Sequence, residues 1–353
     1  MNRDCMRYNK LNNKNKQMNN LMKFIKGSPL FLLLFFVVAC SSSEDDDDII
    51  GDWTRKSDFA GVARSGAVVF TIGERVFIGT GYDGTDYLKD FYEYDANRNS
   101  WFKRADFPGA ARNSAVSFTA NGKGYVGTGT NGVVRYKDFY EYDPSADTWK
   151  QVADFSGSAR YGCVALSLNN MGYIGSGYDG NDQSDWWEYN PSANTWAQKA
   201  NNPRKRSNAF SLVIGEQGYV GGGINNNVYV TDFSLYDPAT DAWIKKYALT
   251  DENDDDDYDY DYSLQRTYAS TFVINGLGYI ATGNYSSALT NVWEYNPTAD
   301  EWTQKTSLEA SAREAAVGFA VGNKGYVTTG RSGATRFDDL WELDPSAEQV
   351  DNN

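Results

Sequence analysis

Along most of the chain, apolar and polar positions alternate in short runs, with the period of two that a half-buried strand requires. "DFYEYDP" (Asp138–Pro144) places aromatics at every second position. The preceding "ARNSAVSFTANG" is a strand of small and apolar residues ended by Asn121-Gly122, a hairpin signal. Between them, "GYVGTG" (Gly124–Gly129) is a short apolar strand. "DPSAD" then carries Asp and Pro at the first two positions of a type I turn, and Trp149 opens a fourth strand, "WKQVADF". No stretch of this region carries a helical period, so four strands form the predicted unit.

The unit recurs. "KDFYEYDANRNSW" (Lys89–Trp101), "KDFYEYDPSADTW" (Lys137–Trp149), "SDWWEYNPSANTW" (Ser184–Trp196), "TDFSLYDPATDAW" (Thr231–Trp243) and "TNVWEYNPTADEW" (Thr290–Trp302) are five copies. A sixth, "DDLWELDPSAEQV" (Asp338–Val350), has Val350 in place of the tryptophan. Seventeen residues before the closing glycine of each glycine-rich strand stands an arginine: Arg64, Arg112, Arg160, Arg206, Arg266 and Arg313. Intervals of 48, 48, 46, 60 and 47 residues separate them, the sign of an array of supersecondary units. Six units of four strands predict an all-β fold, a six-bladed β-propeller. The last copy stops before its fourth strand, whereas "DWTRKSDF" (Asp52–Phe59) stands alone ahead of the first unit and matches "SWFKRADF" (Ser100–Phe107). Trp53 is therefore expected to supply the fourth strand of the last blade, closing the ring and removing an open sheet edge.

The glycine pairs, the aromatic strand and the spaced tryptophan resemble the kelch motif, over Asp52 to Val350. Many kelch repeats carry adjacent glycines; here they are usually split, as in Gly127-Thr128-Gly129. The resemblance implies that two loop families meet at one mouth of the axial channel. One follows the repeated arginines, and the other follows the closing glycines. The ligand-facing candidates it implies are Tyr82, Asp83, Asn113, Tyr161, Tyr178, Asp179, Asn208, Tyr268, Tyr285 and Arg331. They are rich in hydroxyls, amides and aromatic faces, a chemistry suited to a protein loop or a glycan; a merely solvated rim is the alternative. The tryptophans and the "EY" tyrosines read as packing residues. The arginines are expected to form a ring of blade-to-blade hydrogen bonds, and Cys163 to sit in the core.

Composition narrows the chemistry. The chain has no histidine, which excludes Ser–His and Cys–His catalysis. Galactose oxidase is a kelch-type propeller whose copper site needs histidine ligands, so that activity is excluded too. No cofactor is expected. A second resemblance, to six-bladed sialic-acid mutarotases, leaves a sugar mutarotase or epimerase as the rival to a non-catalytic binding module. Its acid–base pair would come from Glu314, the one carboxylate directly after a repeated arginine, and Arg331 of the same blade. The spacing from Trp243 to Arg266 is 23 residues against 10 or 11 elsewhere, and the insertion contains "DENDDDDYDYDY" (Asp251–Tyr262). Asp257, Asp259 and Asp261 alternate as calcium ligands can, but no turn glycine or closing glutamate follows, and a disordered acidic flap is the other reading.

The amino-terminal region follows different rules. Lys23 and Lys26 precede an apolar run, Pro29 to Ala39, and the pattern reads as a secretory signal. Eleven residues fall short of the roughly 20 that span a bilayer. Cys40, directly after Val37-Val38-Ala39, resembles the lipid-modified cysteine of a bacterial lipobox. "SSSEDDDD" (Ser41–Asp48) reads as a solvated tether and resembles the acidic export signal of Bacteroidetes surface lipoproteins. The expected organisation is a signal over residues 1–39, a tether over 40–48 and the propeller over 49–353, with Met22 an alternative start to Met1. The resemblances imply a monomeric outer-membrane lipoprotein anchored through Cys40, surface-exposed or, alternatively, facing the periplasm. Removing residues 1–39 takes seven basic and one acidic residue from totals of 33 and 47, leaving 26 and 46, a net charge of −20. Such a surface argues against nucleic acid as a partner.

Overall fold

The computed structural model describes residues 50–250 and 262–350. Cys40, the tether and Asp257, Asp259 and Asp261 lie outside the described residues. The chain divides between Asp47 and Asp48, and the second unit carries the fold.

Among the described residues the regular elements are all strands, in six four-stranded antiparallel sheets with three two-stranded hairpins beside them. Each sheet is one blade of a six-bladed β-propeller. The first strands of blades 1 to 6 are Val68–Ile72, Val116–Ala120, Val164–Leu168, Phe210–Ile214, Ser270–Ile274 and Val317–Val321. In blade 6 the strands Val317–Val321, Lys324–Thr328 and Leu340–Asp344 are completed by Asp52–Lys56, with Trp53 opposite Leu343. Trp53 is fully buried and its indole Nε1 donates to the carbonyl of Thr306 at 3.1 Å. Trp101, Trp149, Trp196 and Trp243 make the same bond, to the carbonyls of Ser57, Ala105, Ala153 and Ala200 at 2.8–3.2 Å. The amino-terminal strand thus restores the tryptophan missing from the last repeat.

The core lies between blades, where alternate side chains of facing sheets interdigitate. Phe70 of blade 1 meets Tyr142 of blade 2 at 6.1 Å, and Phe319 of blade 6 meets Tyr94 of blade 1 at 6.1 Å, while between blades 5 and 6 Leu343 takes the tyrosine's place beside Phe272 and Tyr279.

The repeated arginines are buried and set the geometry of the loops, but not in the way the sequence suggests. Their side chains bond within a blade rather than between blades. Arg112 donates from Nε to the carbonyl of Ala110 at 2.8 Å and from Nη1 to that of Thr128 at 2.9 Å. Both Nη atoms reach the carboxylate of Asp138, at 2.6 and 2.9 Å. One guanidinium therefore ties the loop entering the blade to the loop between its second and third strands. Arg64–Asp90, Arg160–Asp185, Arg206–Asp232 and Arg313–Asp339 repeat the pair. The blade-to-blade bonds come instead from the arginine carbonyls, which accept from the closing glycine of the preceding blade: Gly81 to Arg112 at 2.7 Å, and so around to Gly330 and Arg64 at 2.8 Å. These glycines have positive φ, and a Cβ on Gly129 would stand 2.8 Å from the carbonyl oxygen of Asn113. The residue before each closing glycine also has positive φ, even as Thr80, Thr128, Ser176, Thr282 or Thr329. Its carbonyl is the one the arginine Nη1 holds. The clamp thus fixes a backbone conformation that costs about 1–2 kcal/mol in an L-residue.

Blade 5 breaks the rule, because Asn291 replaces the aspartate. Arg266 Nη1 bonds Asn291 Oδ1 at 2.8 Å, but Nη2 is buried with no partner among the described residues. Trp293 Nε1 is orphaned as well, whereas Trp187 and Trp341 donate to Asp185 and Asp339 at 2.8 and 2.7 Å. Burial without a counter-charge lowers the Arg266 pKa to about 10. Asn291→Asp supplies one acceptor for both orphaned donors. It is expected to stabilise the fold by about 1–3 kcal/mol, read as a higher denaturant midpoint; an unchanged or lower midpoint would refute the clamp's role.

Candidate functional site at the channel mouth

The first strands line an axial cavity of about 350 Å³. At its upper end each blade contributes one small residue: Ala67, Ala115, Cys163, Ala209, Ala269 and Ala316. Cys163 is therefore half-buried and borders the channel as well as packing on the core, and burial pushes its thiol up to about 12. It is not a poised nucleophile.

Above these small residues lies a closed ring of backbone hydrogen bonds. The N–H of Gly66 donates to the carbonyl of Ala315, Ala315 to Tyr268, Tyr268 to Asn208, Asn208 to Gly162, Gly162 to Ser114 and Ser114 back to Gly66, all at 2.8–3.1 Å. One residue comes from each blade, two positions after the repeated arginine. All six sit at φ between 49° and 64°, in the left-handed region. Their identities differ because the ring is made by the backbone, leaving the side chains of Ser114, Asn208 and Tyr268 free to differ in chemistry.

The two predicted loop families do come together. Within each blade the residue after the arginine pairs with the loop that follows the closing glycine: Ser65 with Tyr82, Asn113 with Thr130, Tyr161 with Tyr178, Ser207 with Ile224, Thr267 with Asn284 and Glu314 with Arg331.

Within that frame the candidates separate into two groups. Tyr161 and Tyr178 pack with ring centroids 5.6 Å apart, and the guanidinium of Arg135 lies 5.4 Å from the Tyr178 ring. Burial raises the Tyr268 phenol to about 12, while Arg331 pulls it down and Glu314 and Tyr161 push it up, so all three lie within its electrostatic reach. Glu314 accepts from Arg331 Nε at 2.8 Å, which makes the two proposed catalytic residues an ion pair. The Oδ1 atoms of Asn113 and Asn208 are buried without a partner among the described residues. These two amide oxygens are unspent.

The second group is committed to its own loops. The Tyr82 hydroxyl donates to the Gly84 carbonyl at 2.7 Å, and its ring packs on Tyr87 at 4.7 Å. Asp83 accepts the N–H groups of Thr85 and Asp86, which lower its pKa. Asp179 accepts from Ser158, Asn181 and Gln183; burial works against its charged form, but these bonds prevail and lower its pKa. Tyr285 lies on the rim at 40 % exposure against Tyr229. Sequence reasoning missed Arg135, whose signal was a cation six residues past a closing glycine, and the backbone ring, which leaves no residue signature. Among the described residues no group of three His, Cys, Asp or Glu is placed to hold a metal ion.

Comparison with known proteins agrees with the fold. Residues 53–201, which span Trp53 and the first three blades, match the KLHDC2/KLHL20/DRC7 Kelch-repeats domain. No curated protein matches the chain. A solved structure titled "Structure of YjhT" superposes with a TM-score of 0.67 at 16 % identity, covering 80 % of this chain and 95 % of that one. At that identity the likeness is one of fold alone, and fold does not fix function.

The phenols give the mouth and the blade interfaces a common pH limit. Burial raises Tyr189 as well as Tyr268 to about 12, and raises Tyr94 and Tyr142 further. A raised phenol favours its neutral form in the fold, so its contribution is complete below the unfolded value near 10 and is lost as pH climbs towards 12. Unfolding monitored through the tyrosinate band should begin in that window; phenols that titrate freely near pH 10 with the fold intact would contradict this.

Proposed function

We propose that the mouth is a recognition site for a glycan or an exposed protein loop, and that it acts by binding rather than turnover. The observation that carries this reading is the pairing of unspent polar groups with aromatic faces on a rigid frame. Tyr161, Tyr178 and Tyr268 offer rings on which a sugar face or an apolar side chain can lie, and Asn113 and Asn208 offer buried acceptors for its hydroxyl or amide donors. The ring of six backbone bonds holds these groups in place before the ligand arrives, which lowers the ordering cost of binding. A lipid on Cys40 would present such a module at the outer membrane, on the cell surface or towards the periplasm.

A second reading is favoured by one observation, the Tyr268 phenol beside the Glu314–Arg331 pair. Opening a sugar ring needs a proton donor at the ring oxygen and a base at the anomeric hydroxyl. Sialic acid or a related sugar would then be the substrate of a mutarotase. Against this, Glu314 is tied to Arg331 and the phenol holds its proton up to about pH 12.

Screening of the purified chain against glycans and extracellular proteins is expected to give a saturable partner. Tyr161→Ala with Tyr178→Ala should then weaken it at least tenfold, about 1.4 kcal/mol. Undiminished binding by that double variant would remove the mouth from consideration. Accelerated anomer exchange of free sialic acid, lost in Glu314→Gln, would replace the binding reading with the mutarotase.

A further inference from the structure

Blade 4 departs from the repeat at a position that every other blade fills with an aromatic. Tyr92, Tyr140, Trp187, Trp293 and Trp341 occupy the second position of the third strand, and blade 4 has Ser234. In blades 1 to 3 that aromatic packs on Phe59, Phe107 or Phe155 with centroids 5.2, 5.0 and 6.1 Å apart. In blade 4 the facing place is taken by Asn202, whose N–H donates to Ser184 as that of Phe155 does to Lys137. Two rings are thus replaced by two small polar side chains. What opens is a cavity of about 640 Å³, the size of a ligand pocket, lined by Ser234, Trp243, Tyr229, Arg204, Lys205 and Lys245 among others.

The chemistry of this groove has one sign. Arg204, Lys205 and Lys245 are exposed, and none has a carboxylate within ion-pair distance among the described residues. Asp232, the one carboxylate of the lining among the described residues, is held by Arg206. Behind the lining residues Pro203 and Lys205, two buried donors lack partners among the described residues. Asn202 Nδ2, on a residue 3 % exposed, has none, and neither has Nε of the fully buried Arg206. In the other five blades that Nε donates to the carbonyl two residues earlier. Three cations around a void call for an anionic occupant. The half-buried Trp243 on the wall adds a flat face, which favours a sugar ring over a flexible acidic peptide.

We propose that the shoulder of blade 4 is a second binding site, for an anionic saccharide whose carboxylate or sulfate is held by Arg204, Lys205 and Lys245. It is separate from the mouth and does not depend on that site's function. The chain carries a net charge of −14, so attraction acts only within about 10 Å of the groove and affinity must fall with salt.

Titration of the full chain with dextran sulfate, polygalacturonate, neutral dextran and polyglutamate at low salt tests it. Saturable binding of one or both anionic polysaccharides is expected, with none of neutral dextran, and whichever binds identifies the head group. The exposed-residue variant Arg204→Gln/Lys205→Gln/Lys245→Gln should weaken it at least tenfold. Ser234→Tyr restores the aromatic of blades 1 and 2 and should abolish binding without lowering the melting temperature. Failure of both anionic polysaccharides to bind would overturn the proposal, as would polyglutamate binding as tightly. Full affinity in the triple variant, or in a folded Ser234→Tyr variant, would overturn it equally.

Discussion

A buried guanidinium in each blade is the constraint on which the rest of this structure depends. An arginine removed from water is costly unless its donors and its charge are matched. Here the matching partners are chosen so that they hold the loops: a carbonyl of the entering loop, a carbonyl of the second-to-third loop, and an aspartate at the start of the third strand. Satisfying the arginine therefore brings the two loop families together, and its own carbonyl joins the neighbouring blade. The left-handed residues at the mouth are tolerated because they are bonded on both sides.

Sixfold repetition explains stability, and departures from it mark where chemistry can differ. The ring at the mouth has the same backbone in every blade and a different side chain in each, so a ligand there meets Tyr268 and Asn208 on one side and Gly66 on another. Blade 5 lacks the aspartate, leaving a guanidinium donor unpaired among the described residues. Blade 4 lacks the aromatic pair, and a cationic groove takes its place. These three irregularities lie on or beside loops, while the strands beneath keep their register.

Much of the architecture was legible in the sequence. Trp53 ahead of the first repeat and Val350 at the end of the last one already imply the closing strand, because a blade edge without its tryptophan is left unpaired. The pairing of Arg-loop with Gly-loop residues at one mouth followed from the kelch resemblance, and the constant 17-residue spacing fits it. What could not be read was the direction of the arginine bonds. The aspartates stood in view in every quoted repeat except "TNVWEY", but nothing in their spacing says that a side chain turns back onto its own blade. The backbone ring was illegible in principle, since Gly66, Ser114, Tyr268 and Ala315 share a conformation and no chemistry. Tyr82, Asp83 and Asp179 looked available because a sequence does not display the turns that consume their polar atoms.

Hydrogen exchange at the six ring amides, Gly66, Ser114, Gly162, Asn208, Tyr268 and Ala315, tests the preorganised mouth most directly. If the arginine frame fixes the mouth, these amides exchange as slowly as those of the third strands. In Arg160→Met the amides nearest blade 3 should then open at least tenfold faster, while the strands stay protected. Exchange of the ring amides at loop-like rates in the unaltered protein, with the strands protected, would contradict a rigid mouth and the recognition function built on it.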